Sequence, residues 1–140
     1  MINYPQLKNP DKNNLKELFD LIPQIEDTKS FGEMKGAKRQ TNGYVEMPYI
    51  SLTVLVKNFL DLVYKSGIIL DFDWTTWDEG KELIKMKDFA LLDIETLCKL
   101  ITAIVRSDRF NEGYLLGNFE NGNILKILIN LKNKIELAKD

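Results

Sequence analysis

The 140-residue chain has no histidine, one cysteine and four prolines, and no apolar run near the ~18 residues that cross a bilayer. Each absence removes a class of function. Without histidine there is no Ser-His or Cys-His pair, no imidazole base and no histidine metal ligand. Any chemistry then falls to carboxylates, lysine, tyrosine or a metal held by oxygen. Cys98 alone forms no intrachain disulfide and no multi-cysteine metal site. Its neighbours Ile94, Leu97 and Ile101 put it on an apolar helix face, where cysteine acts as a small hydrophobe. An excess of charge of one sign is missing too: 19 Lys and Arg stand against 21 Asp and Glu, a net charge of -2. No global positive field gathers polyanions, so nucleic acid is not the expected partner. The opening Met1-Ile2-Asn3-Tyr4-Pro5 lacks the basic start and apolar run of a leader, and the expectation is a cytoplasmic protein without a membrane segment.

What is present is the balance of a globular protein, 44% hydrophobic and 29% charged. The length suits one domain across residues 1–140, with its main helical core over 50–135. Leu15, Leu18, Phe19, Ile22 and Ile25 lie at helical spacing and predict a first helix over 10–26, capped by Asn9 or by an Asn14–Glu17 box and kinked or ended at Pro23. From Thr28 to Pro48 the periodicity is lost and a long irregular loop or short hairpin is expected, containing Lys35, Lys38, Arg39 and the turn pair Asn42-Gly43. A second helix reads from Ser51 as cap to Ser66, with an Ile50–Leu55 staple and Gly67 as its left-handed stop.

Ile68 to Phe72 reads as an extended connection, and Thr76 with Glu79 as a capping box opening a third helix to about Met86, with Asp73 as the alternative cap. Asp93 opens a fourth helix, a fifth spans about 111–120, Gly122 supplies the left-handed turn after it, and Asn123 is expected to cap a last helix over 124–138. The fold class is therefore all-α, a single bundle of five to six helices.

One segment breaks the pattern. Ile94, Leu97, Ile101, Ile104 and Val105 form one helical face, and at 100° per residue Asp108 and Arg109 extend it. Unpaired burial costs several kcal/mol per ion. Arg106, Asp108, Arg109 and Glu112 are accordingly expected either to neutralise one another in a network or to line a polar cavity, where two arginines would suit a carboxylate or phosphate.

Three strings carry a resemblance: Gly43-Tyr44-Val45-Glu46-Met47-Pro48-Tyr49, the segment from Phe72 to Gly80 containing Trp74 and Trp77, and above all the segment from Leu100 to Gly113. Together they resemble a family of small bacterial proteins known only as a domain of unknown function, over roughly residues 40–132. The resemblance implies a prokaryotic cytoplasmic protein and carries no activity with it.

Trp74 and Trp77, flanked by Asp71 and Asp73, suit a core anchor or an exposed partner-binding patch. A metal-dependent alternative takes Glu79 and Glu82 on adjacent turns with Asp108 and Glu112 as a second acidic pair, the spacing a magnesium-dependent hydrolase of a phosphorylated small molecule would use. The leading expectation is non-catalytic: a binding module using Arg106, Asp108, Arg109, Glu112, Asp73, Trp74 and Trp77. Its partner would be a protein or a small anionic ligand, with homo-oligomers open and no cofactor implied.

Overall fold

Helix α1 (Lys12–Asp20) starts where Asp11 accepts the backbone N–H of Asn14 at 3.0 Å, one of the donors a helix N-terminus leaves unpaired. Asp11 is therefore the cap. Asn14, expected to open a box, instead sends its side-chain amide to the Lys65 carbonyl at 3.4 Å, while Asp11 N–H donates to Ser66 O at 3.1 Å. These bonds tie the start of α1 to the end of the helix it packs on. The computed structural model describes residues 10–36, 43 and 47–137; Asn9, Lys38, Arg39, Asn42 and Ala138 lie outside them. Pro23 does not kink one helix but starts another. α1 ends at Asp20, and α2 (Ile22–Asp27) holds Pro23 in its first turn, where the missing N–H has no intrahelical partner to lose.

The 28–48 region contains half of a hairpin. Strand β1 (Gly32–Lys35) pairs antiparallel with β2 (Tyr49–Leu52), Met34 opposite Ile50 and Glu33 opposite Ser51. Ile50, Ser51 and Leu52, expected as staple, cap and first turn of a helix, are thus strand residues. The ladder continues as Thr53 N–H donates to Phe31 O at 3.0 Å, and the Thr53 hydroxyl caps α3 (Val54–Lys65). The ladder holds the chain extended up to Thr53, whose N–H still pairs with β1, so the helix starts after it. Gly67, at φ 82°, stops it as expected.

A 3-10 turn (Trp74–Thr76) leads into α4 (Asp78–Met86), followed by α5 (Ile94–Ser107), α6 (Tyr114–Glu120) and α7 (Asn123–Leu137). Ile68 to Phe72 is a connection without strand structure, anchored where Leu70 N–H donates to the buried Thr102 hydroxyl at 3.0 Å. Thr102 in turn donates to Cys98 O at 2.8 Å, so its polar group is spent inside the core. Asn123 is not a cap. Its N–H is received by Asn121 Oδ1 at 3.0 Å, and its side chain donates to Asn118 Oδ1 at 2.9 Å, locking the α6–α7 corner.

α5 is the central helix, burying Leu97, Leu100, Ile101 and Ile104 among eight covered residues against α6 and α7. One apolar cluster runs from Leu15 to Ile135 through α1, α2, α3, α5, α6 and α7, with Ile50 and Leu52 of β2 and Leu83 and Ile84 of α4 packed against it. The architecture is mostly helical, with the two-stranded hairpin as its β structure among the described residues. No helix of those residues is long and apolar enough to cross a membrane.

Candidate functional site

Asp73 builds the turn that presents the tryptophans. Its carboxylate accepts the backbone N–H of Thr75 at 3.1 Å, the Thr75 hydroxyl, and the Thr76 hydroxyl at 3.1 Å. These bonds, Thr75's first and Thr76's second, hold the Asp73 carboxyl below the usual carboxylate value. With its hydroxyl bound to Asp73, Thr76 forms no capping box with Glu79, and α4 opens from Trp77 without a side-chain cap. Trp77 then lies over the helix it precedes. A methyl group at Gly80 would sit 2.4 Å from Cε3 of the Trp77 ring, so only glycine lets the indole rest on this turn of α4.

The rings of Trp74 and Trp77 form one wall of a groove of about 590 Å³ between α4 and the end of α5. Ile84 and Lys81 come from α4, Phe110 from the turn after α5, and Tyr114 from the first residue of α6. Trp74 and Phe110 have ring centroids 6.0 Å apart at 32°, a spacing at which aromatic pairs attract. Phe110 nonetheless remains 82% exposed. Behind the groove, Phe72 meets Trp77 edge-on at 5.5 Å, and the Lys99 ammonium lies 5.3 Å from the Phe72 centroid and 5.9 Å from that of Trp77. The cation faces the electron-rich rings and steadies the wall. A second depression of about 400 Å³ shares Ile84, Asn111 and Tyr114 with the first and continues along α6 past Gly117.

The expected charged network does not form. Among the described residues no ion pair joins Arg106, Asp108, Arg109 and Glu112, and Arg109 and Glu112 are exposed. The carboxylates serve backbone amides instead. Asp108 Oδ1 accepts Leu115 N–H at 3.0 Å, near the start of α6, because Gly113 at the N-cap position has no side chain to do so. Glu112 accepts Ile50 N–H at 2.6 Å and fastens the hairpin to the α5–α6 turn. The physical reason is that α5 ends at Ser107, so the chain turns before Asp108 and Arg109 could extend the core face. Among the described residues neither arginine lines the groove, and the cation that does is Lys81.

The alternative metal-ligand set is not assembled either. Glu79 and Glu82 are exposed on α4, with Glu82 beside Lys85 at 3.6 Å, while Asp108 and Glu112 bind the amides just described. No group of three or more ligating side chains gathers among the described residues. Cys98 is fully buried, and desolvation pushes its thiol well above the ordinary value, as the apolar-face reading expects.

Of the residues singled out from sequence, Trp74 and Trp77 face one groove, Asp73 positions them, and Asp108 and Glu112 fasten the α5–α6 turn, from which Phe110 reaches the groove. Phe110, Tyr114 and Gly80 were missed. Phe110 had no dependable signal: it lies beyond Ser107, where α5 ends, so helical periodicity does not place it. Gly80, three residues after Trp77, had none that spacing alone reveals. No curated protein and no solved structure matches this chain. A family profile does match, over residues 10–136, and the chain belongs to that family of unknown function, DUF6508.

Proposed function

We propose that this protein is a non-catalytic interaction module whose recognition surface is the aromatic groove, and that its partner is an extended segment of another polypeptide. One observation carries the reading: Trp74, Trp77, Phe110 and Tyr114 converge on one open surface, with Phe110 82% exposed beside a ring it already touches. Large exposed aromatics cost solubility, and tryptophan and tyrosine dominate the binding energy of protein interfaces. The shape favours a chain over a compact ligand. Two depressions joined at Ile84, Asn111 and Tyr114 make an elongated path, aromatic in the first and lined by Asn118 and Asn121 in the second, and at their junction Asn111 offers both a donor and an acceptor to a peptide backbone. Small-molecule sites bury most of their ligand, which an open groove does not.

The test is selection of random peptides by display on the wild-type protein, followed by titration of each enriched peptide while tryptophan emission is read. Peptides should shift the emission and bind Trp74→Ala and Phe110→Ala at least roughly 30-fold more weakly, the effect of one interface hot spot. Enriched peptides that bind both variants as tightly as wild type would place recognition elsewhere and overturn the reading.

A further inference from the structure

The hairpin has two edges and treats them differently. Ile50 N–H donates sideways to Glu112 at 2.6 Å, so it points away from β1, and the Met34–Ile50 pair is one that exchanges no ladder bonds. The bond from Thr53 N–H to Phe31 O, three residues before Met34, shows the same alternation: Phe31, Glu33 and Lys35 turn their backbone groups toward β2. Gly32 and Met34 therefore turn theirs outward. Glu112 closes the β2 edge, and among the described residues no backbone partner meets Met34 on the β1 edge. An open strand edge is a template for another strand unless charge or shape blocks it.

We infer that the β1 edge pairs with β1 of a second copy of this chain, antiparallel and centred on Met34. Charge selects both the occupant and the register. With Met34 opposite Met34 of the second copy, Glu33 stands across from Lys35 of that copy and Lys35 across from its Glu33, two attractive cross-strand pairs related by the twofold axis. Registers centred on Glu33 or Lys35 put like charges face to face. Both side chains are available, joined within one strand by a 3.4 Å contact and exposed at 68% for Glu33 and 48% for Lys35. Met34, 63% exposed, gains an apolar partner in its own twin. Gly36, at φ 85°, leaves the extended region and limits the pairing to a short stretch, so the association is weak and reversible.

The experiment is sedimentation equilibrium of the full chain from about 10 µM to about 1 mM, the range in which weak self-association appears. Wild type should rise from monomer toward dimer mass. Glu33→Lys and Lys35→Glu should each stay monomeric, because each opposes like charges across the axis. An equimolar mixture of the two variants should recover the dimer, since both cross-strand pairs become attractive, and so should the double exchange in one chain. Thermal melts of the variants, whose changes lie on the surface, report whether the fold is kept. A wild type monomeric throughout the range, or single variants that associate as well as wild type, would overturn the inference. These outcomes involve no residue of the aromatic groove.

Discussion

α5 and α4 are neighbours with opposite economies of surface. α5 covers eight of its residues, including Leu97, Leu100, Ile101 and Ile104 at full burial, while on α4 only Gly80 is buried. Leu83 and Ile84 are half covered and Met86 is 69% exposed. Both helices are amphipathic in sequence. What differs is that α5 lies between α6, α7 and the 3-10 turn, whereas α4 packs on α5 and presents Ile84 to the groove. An apolar stripe is a demand for cover, not proof of it. Where the fold supplies the cover the stripe stabilises; where it does not, the stripe is available to a partner.

If stability resides in the α5–α7 side, the largest effect should come from there. Leu131, fully buried on α7, is expected to lose about 2–5 kcal/mol as Leu131→Ala, part transfer free energy and part cavity. Denaturant unfolding should show the midpoint falling with little change in slope. A loss under about 1 kcal/mol would mean the core rearranges around Leu131 and the contrast with α4 is overdrawn.

Gly80→Ala comes next and probes the contact between the two regions. Helix propensity alone favours alanine by about 1 kcal/mol. The added methyl, however, meets Trp77 Cε3 at 2.4 Å and must displace the ring, an overpacking cost of about 1–3 kcal/mol. The net expectation is a loss of roughly 1 kcal/mol, with tryptophan emission shifted to the red as the indole moves toward water. A stabilised variant with unchanged emission would show that Trp77 is not seated on α4.

Asp93→Asn tests the entry to α5. Asp93 Oδ1 accepts Thr96 N–H at 2.8 Å, and the bonds to Thr96 hold the carboxyl below its usual value. A lowered folded-state pKa contributes stability that is present above the unfolded-state pKa and is lost as pH falls through the folded-state value. Asparagine still caps, so at neutral pH the loss should be a few tenths of a kcal/mol to about 1 kcal/mol. The gap between wild type and variant should narrow as thermal melts are taken below about pH 4. A gap that widens in acid would reverse the sign and remove the charge from the explanation.

Helix positions were legible wherever a cap and a stripe agreed, as at Asp93 and Gly67, because both signals are local. The charged seam was not, since periodicity carried α5 past Ser107 and nothing local to that run announces that Asp108 will cap a helix seven residues on. Ser51 misled for a related reason. Its strand partner, Glu33, lies within the 28–48 region, and pairing over that span of chain overrides a good capping sequence. The two tryptophans were found as a cluster by composition, while the groove needed Phe110 and Tyr114 from another part of the chain, a convergence that only tertiary structure supplies.

Phe110→Ala should have the smallest effect on stability and is the sharpest discriminator between the two regions. The side chain is 82% exposed and sits in a turn beyond the end of α5, so its removal uncovers little that folding had buried. Its one ring contact among the described residues, with Trp74 at 6.0 Å, joins two partly uncovered groups. An exposed aromatic pair stabilises by well under its buried value, and surface substitutions usually stay within about 0.5 kcal/mol. The expected result is therefore a melting temperature within a degree or two of wild type, together with altered Trp74 emission and the roughly 30-fold weaker peptide binding that a lost hot spot produces. A residue kept in the open at no benefit to the fold fits a surface whose cover comes from outside the chain. If Phe110→Ala instead destabilised the protein as much as Leu131→Ala, the ring would be part of the core's support, and the division between a stabilising α5–α7 side and a receptive α4 side would collapse.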